Sequence, residues 1–207
     1  MENVLEKVDF SHEVLVRELS EASLEAHRIA AAMCLYRVLP VLVVRSSPVV
    51  AAKVPVHAWS PATVDNEILP FLEVIRSGVG EGGDGEFAEQ DEEIEEIFAM
   101  ASEMVHRAFV DDFDVRVWSD WCSSLCLDIH QAFDALVEEA DSEPQFYPAG
   151  RYPDLTELQA CELEDQVRIL RLLRDRSSVN DVKVAEVAET GKGRVAASLE
   201  QVLGDRS

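Results

Sequence analysis

The chain has 207 residues, of which 47% are hydrophobic, and it carries a formal net charge of −23 at pH 7. This length fits one domain, or one domain with a small appendage, and the apolar content excludes a globally disordered chain. The negative charge argues against direct binding to nucleic acid or to an anionic membrane, because both require positive charge on the protein.

The negative charge is concentrated in the middle of the chain. Residues 1–60 hold seven acids and six bases, residues 61–165 hold twenty-eight acids and four bases, and residues 166–207 hold six acids and eight bases. A salt-adapted protein would carry acids over its whole surface. The uneven distribution therefore favours a local role for the acids.

The cysteine pattern and the first residues predict a soluble, cytoplasmic protein with reduced thiols. The four cysteines do not form a dense disulfide framework: they are Cys34, Cys122, Cys126 and Cys161. Glu2, Glu6 and Asp9 stand where a secretory signal would carry bases. The most apolar run, 29–44, is too short to span a bilayer, so no membrane association is expected.

The first predicted helix covers residues 11–38. Ser11 can cap its N-terminus, and Glu13 lies in the first turn, where the helix dipole favours an acid. Its apolar residues follow spacings of three and four: Leu15, Leu19, Ala22, Ala26, Ile29, Met33 and Tyr36. This 15–36 seam could dock within the chain or against a second copy in a homodimer. Packing within the chain is favoured, because the seam is shorter than four heptads.

A small β-hairpin is predicted at about 41–56, after Pro40, which should end the first helix. Two β-branched runs, 41–44 and 49–56, flank a turn that contains Pro48. Pro55 would place the second run at a sheet edge.

Start signals at Ser60 and Asp65 predict a further helix that ends at Gly78. A flexible glycine-rich, acidic loop is predicted at 77–86. It matches the string GxGxxG, but a dinucleotide site requires a preceding strand and surroundings without acids. We therefore predict no cofactor.

The next predicted helix runs from about Glu86 to Val110, with an apolar face and an unusually acidic first half. The acids there are Glu89, Asp91, Glu92, Glu93, Glu95 and Glu96, and the following turn adds Asp111, Asp112 and Asp114. Acids near a helix N-terminus are stabilising, but so many also repel one another. Fold stability alone does not account for their number.

Two more helices are predicted at about 115–140 and 154–176, with Trp118 and Trp121 on the buried face of the first. A proline-rich loop between them carries Phe146, Tyr147 and Tyr152. The resulting fold class is mainly α, a bundle of five to six helices. Residues 1–176 would form one domain and 177–207 an appendage. A helix is predicted at 194–203, whereas 181–189 could be a helix or one strand of a hairpin that turns at Thr190–Gly193.

A candidate metal stripe appears in the 115–140 helix. Cys122, Cys126, His130 and Asp134 recur every four residues and would lie along one helix face. Two of them, together with Cys34 or Cys161, could ligate zinc. Apolar residues flank the stripe, so burial in the core is favoured over metal binding.

The acidic block predicts either a solvated helix face or a docking surface for a basic protein partner. The main hypothesis is a non-catalytic interaction protein of the inhibitor, immunity, DNA-mimic or adaptor type, with the aromatic residues of the proline-rich loop as anchors. No nucleophile motif or HExxH pattern argues for catalysis.

Two alternatives stay open. One is a small helical enzyme, or a subunit of one, that holds a divalent metal through Asp111, Asp112, Asp114 and Glu103. The other is a structural protein that self-assembles through the 15–36 seam.

Overall fold

The computed structural model describes residues 10–44, 70–76, 92–137, 155–175 and 177–204. Within these ranges the chain is almost entirely helical and contains no strand. Its helices are α1 (His12–Glu21), α2 (Leu24–Arg37), α3 (Leu39–Val44), α4 (Glu92–His106), α5 (Val115–Val137), α6 (Glu157–Arg174) and α7 (Ser178–Gly204). Residues 70–76 are also helical, and a 3-10 turn covers Arg107–Phe109. The mainly α fold class is confirmed.

The first predicted helix is two helices. Ser11 caps α1 as predicted, accepting a hydrogen bond from the Val14 amide at 3.3 Å. The chain then turns extended at Ala22, and Ser23 caps α2 by accepting from the Ala26 amide at 3.1 Å. A serine side chain that satisfies a free helix amide makes a second helix start favourable inside an otherwise continuous apolar pattern.

Helix α2 lies at the centre of the fold and packs against α5, α6 and α7. Ile29, Met33 and Tyr36 of the seam are buried within the chain, as is Leu15 of α1. Most of the seam is thus already covered, so the homodimer stays a prediction that would need another surface.

The predicted hairpin is wrong over 41–44, because these residues belong to α3, and 45–56 lie outside the described residues. Val41 and Leu42 are buried in the core. Helix α2 ends at Arg37, close to the predicted end at 38. Pro40 lies in the first turn of the next helix, α3, where its missing N–H is not needed. Burial of the apolar side chains overrides the β-propensity of the valines.

Helices α4, α5 and α6 lie where the periodicity places them, with shorter described bounds than predicted. The apolar face of α4 is buried at Ile97, Ala101 and Met104. Trp118 is buried and donates from Nε1 to the Met104 carbonyl at 3.0 Å. Trp121, predicted on the same face, is instead 39% exposed.

The tail forms a single helix, α7, which passes through residues 190–193 without a break. The hairpin alternative for the tail is therefore wrong. Val184, Ala188, Val195 and Leu199 of α7 join the same core cluster as residues of α2 and α4. The described part of the predicted appendage is packed into the helical core.

None of the helices in the described ranges is both long and apolar enough to cross a membrane.

Candidate functional site

The predicted partner-binding acids that fall in the described ranges are all exposed. They are Glu92, Glu93, Glu95 and Glu96 on α4, and Asp111, Asp112 and Asp114 between α4 and α5. Glu89, Asp91, Phe146, Tyr147 and Tyr152 lie outside the described residues.

Helices α4 and α5 form an antiparallel hairpin. Near its turn, Trp118 bonds to Met104 and the Arg107 guanidinium lies 4.4 Å from the centre of the Trp121 ring. Near its open end, the charge of Glu96 acts on Asp128. These contacts place exposed residues of both helices side by side on a surface that we call the outer face: Glu92 and Glu96 of α4 with Val117, Trp121 and Asp128 of α5.

The outer face is electrostatically unfavourable for the isolated protein. Asp128 is exposed, but neighbouring groups partly desolvate its carboxyl and raise its pKa, and the nearby carboxylate of Glu96 raises that pKa further. Glu92, Glu96 and Asp128 form no ion pair with a described residue. Two like charges on adjacent helices with no counter-charge between them reduce stability.

The predicted divalent-metal group does not assemble. Asp114 caps α5, since its Oδ1 accepts from the amides of Arg116 at 2.7 Å and Val117 at 3.4 Å. Glu103 forms an ion pair with Arg107 at 2.5 Å. Within the described ranges, the only three ligand-type side chains whose donor atoms converge are Cys34, Cys126 and Glu162, and none of these belongs to the predicted group.

The four residues of the candidate metal stripe are all buried. Asp134 is not free to bind a metal, because its Oδ2 accepts from the amides of Leu158 at 2.8 Å and Gln159 at 3.4 Å and thereby caps α6. The His130 Nδ1 lies 2.6 Å from the Cys126 carbonyl oxygen. The stripe therefore packs into the core. Within the described ranges one of its members, Cys126, converges with Cys34 of α2, whereas the predicted zinc site required two members of the stripe.

At the centre of the core, α2 and α6 are joined by a fully buried ion pair. Arg37 donates from Nε to Glu162 Oε2 at 2.7 Å and from Nη2 to Glu162 Oε1 at 2.5 Å. Both side chains have 0% exposure. Two parallel charge-assisted hydrogen bonds are the geometry that compensates best for removing both charges from water.

Further polar groups complete the shell around Glu162. Gln166 donates from Nε2 to Glu162 Oε1 at 2.8 Å and to the Ser123 carbonyl at 3.1 Å, and Ser123 Oγ donates back to Gln166 at 2.5 Å. His130 Nε2 lies 3.6 Å from Glu162 Oε2. The pair thus links α2, α5 and α6 through one polar network.

The surroundings determine the charge of each member. Burial alone would raise the pKa of Glu162, but the adjacent Arg37 guanidinium lowers that pKa to about 2. Burial lowers the pKa of His130 and raises the pKa of the Cys126 thiol well above its ordinary value. At neutral pH the network therefore holds a carboxylate, a guanidinium, a neutral imidazole and a protonated thiol.

This arrangement suits a structural role better than metal binding. The Arg37 Nη2 lies 3.3 Å from Cys34 Sγ, and the same nitrogen bonds to Glu162. The guanidinium therefore supplies positive charge at the point where the three candidate ligands converge. A metal would have to displace it and ionise the Cys126 thiol, whose burial favours the protonated form.

Gly191 of α7 makes room for the buried arginine. A Cβ at this position would lie 2.3 Å from Arg37 Cδ and 2.9 Å from Cγ. The Thr190–Gly193 stretch, which looked like a turn in sequence, is a helix segment whose first glycine allows close packing of α7 against α2.

Sequence reasoning missed Arg37, Glu162 and Gln166. A signal for the last two was present, because both lie on the apolar face of α6, at helical spacing between Leu158 and Ile169. Polar residues at core positions must find partners in the interior. The sequence could not identify Arg37 as the partner of Glu162, because the two residues are 125 positions apart in the chain.

A groove of about 910 Å³ lies between α6 and α7. Its cations are largely neutralised by nearby acids: Arg168 pairs with Glu164 at 2.7 Å, and Arg194 pairs with Asp165. The lining holds four acidic and four basic side chains, so it offers no excess of either charge.

Comparisons with protein-family models, with characterised proteins and with solved structures find no significant match for this chain.

Proposed function

We propose that this protein is a non-catalytic acidic interaction protein that binds a basic protein partner through the carboxylates of α4 and of the turn before α5. The observation that carries the proposal is the group of exposed, unpaired acids on the outer face. A basic partner would supply the missing counter-charge, and the summed negative potential would steer it to this side of the molecule.

The pairing of acids elsewhere in the chain supports this proposal. Glu18 of α1 is 4% exposed and forms ion pairs with Arg171, at 3.0 Å, and with Arg174 of α6. Residues 155–204 contain several further ion pairs of this kind, whereas residues 92–137 contain eleven acids and only two arginines. Acids that serve the fold are paired here, and those of the outer face are not.

The cysteines and the acidic surface also bear on the proposed compartment and on the proposed kind of partner. Cys34, Cys122, Cys126 and Cys161 are free thiols, which suits a reducing, intracellular location. An acidic surface on a helical scaffold fits an inhibitor or immunity protein, a DNA mimic or an adaptor, each of which would meet a basic protein surface.

The first experiment measures binding of a lysine-rich peptide to the full chain by calorimetry at low and high salt. Affinity should fall by about tenfold or more between roughly 50 and 300 mM NaCl, since the contact is electrostatic. The double variant Glu92→Gln/Glu96→Gln should weaken low-salt binding several-fold.

The matched control is Glu186→Gln/Glu200→Gln, which removes two exposed acids from α7. If the control weakens binding as much as the double variant, the peptide is responding to net charge alone. The outer face would then not be the binding surface.

A further inference from the structure

The outer face also carries apolar side chains that the fold leaves exposed. Val117 is 53% exposed and Trp121 is 39% exposed, one turn apart on α5, and Phe113 just before the helix is 44% exposed. We call these three residues the apolar stripe. Large apolar side chains grouped on one exposed face mark interaction sites more often than single ones do.

The fold explains these residues only in part. The Phe113 ring packs on the buried Trp118 with centroids 5.8 Å apart, as a hydrophobic residue before a helix cap commonly does. Arg107 covers one face of Trp121. Val117 has no comparable role in the core. Tryptophan is the residue most enriched at the energetic centre of protein interfaces, and here it lies between the other exposed apolar groups and the acids.

The charges around the stripe select its occupant. Asp111 and Asp112 precede Phe113 on the turn, and Asp128 follows Trp121 two helical turns along α5. The nearby Arg107 is already paired with Glu103. A second copy of the chain would bring like charges together, and an anionic membrane would be repelled.

We propose that the apolar stripe is the docking surface for a basic amphipathic helix of the partner protein. This inference rests on the proposed function and specifies the partner. Apolar side chains at helical spacing would contact Val117 and Trp121, while lysines or arginines on either side would pair with Asp111, Asp112 and Asp128. Proteins commonly bind an amphipathic helix through its apolar side chains at positions i, i+3 or i+4 and i+7.

The test compares two synthetic peptides of about 18 residues made from leucine and lysine in equal composition. One places its leucines on one helix face, and the other has them scrambled. Binding to the full chain is measured by fluorescence anisotropy with labelled peptides. The amphipathic peptide should bind about tenfold more tightly than the scrambled one, because only it presents apolar anchors on one face.

Trp121→Ala should abolish this preference while the salt-dependent binding of the scrambled peptide remains. The matched control is Val182→Ala, which truncates a side chain of α7 that is 58% exposed and lies outside the stripe. Val182→Ala should keep the urea unfolding midpoint of the wild type, because its side chain is largely exposed. The midpoint of Trp121→Ala is measured as well, since Trp121 is only 39% exposed, and the loss of preference is scored on the folded variant.

The outcomes separate the two proposals. Equal affinity for the two peptides, or an unchanged preference in Trp121→Ala, would overturn the docking helix and leave the acidic surface standing. If neither peptide binds in a salt-dependent manner, the proposed function fails as well. A dimer in sedimentation equilibrium that Trp121→Ala dissociates would instead assign the stripe to self-association and overturn the inference.

Discussion

The buried guanidinium of Arg37 constrains three residues on two neighbouring helices, α6 and α7. Glu162 must stay ionised to compensate for its charge, Gln166 fixes the carboxylate, and Gly191 leaves the space that the arginine side chain fills. Removing one partner of a buried ion pair strands the other charge in a medium that cannot solvate it. The constraint is therefore on packing and on charge together.

Gly191→Ala should destabilise the protein, although replacing glycine by alanine inside a helix normally stabilises it. The new Cβ would lie 2.3 Å from a side-chain carbon of Arg37, which the ion pair prevents from moving. We expect a loss of about 1–3 kcal/mol in the free energy of unfolding, as for overpacked core sites, measured by urea denaturation.

Gly193→Ala is the control, two residues further along the same helix. Nothing lies within 4 Å of its added Cβ. This variant should gain about 0.5–1 kcal/mol from helix propensity. Equal effects of the two substitutions would show that close packing on Arg37 is not what requires glycine at position 191.

At the scale of elements, some helices are capped by a side chain from an adjacent residue, and others by a side chain from a residue distant in the sequence. Ser11 and Ser23 cap their own helices. Helix α6 differs, because Thr156 at its N-cap position makes no side-chain capping bond and Asp134 of α5 supplies the acceptor instead. The start of α6 thus depends on the packing of α5 beside it.

Asp134→Ala should destabilise the protein by about 1–2 kcal/mol, because it removes the acceptor for the first amides of α6. Thr156→Ala should cost less than about half of that amount, since its hydroxyl caps nothing. Chemical denaturation of both variants measures the difference. A larger loss in Thr156→Ala than in Asp134→Ala would contradict capping from the neighbouring helix.

At the scale of the whole molecule, the balance of charge makes stability depend on pH. Burial lowers the pKa of His130 below its ordinary value of 6.5; among its charged neighbours Glu162 opposes the shift, and Arg37 and Arg194 reinforce it. Below about pH 6.5 this histidine therefore binds a proton in the unfolded chain, whereas in the native core it stays neutral to lower pH. The ionised Glu162 carboxylate stabilises the native state above about pH 4.5, and this stabilisation is lost as the pH falls toward about 2.

The free energy of unfolding should therefore fall as the pH decreases from about 7.5 to about 5.5, with a slope of at most about 1.4 kcal/mol per pH unit for each buried histidine. His27, whose pKa is also lowered by burial, contributes in the same direction. His130→Gln should reduce the slope in this window, whatever its effect on absolute stability. Urea titrations at several pH values test this, and an unchanged slope would show that His130 titrates alike in the folded and unfolded states.

Much of the helical fold was predictable from local patterns. The spacing of Ile97, Ala101 and Met104 identified the buried face of α4, and Ser11 identified the start of α1. Errors arose where burial outweighed propensity. The valines at 41–44 look like a strand but lie in a helix, and Trp121 shares the spacing of Trp118 without sharing its burial.

The candidate site was predictable to a lesser extent. The regional excess of acids is visible in the sequence, since charge counts need no coordinates. The position of Val117 and Trp121 beside those acids requires the α4–α5 hairpin, because it depends on which face of α5 turns away from the core. Asp134 and Asp114 looked like ligand candidates and are helix caps, which only their backbone partners reveal.

The sequence by itself determined the helical class, the main apolar faces and the uneven charge, because these follow from short-range periodicity and composition. Only the tertiary structure decided that Arg37, Glu162 and Gly191 meet, that the tail joins the core, and which apolar residues stay exposed among the acids. These features depend on contacts between residues up to about 150 positions apart, such as Arg37 and Gly191. Such contacts are selected by the packing of whole helices, which no local pattern encodes.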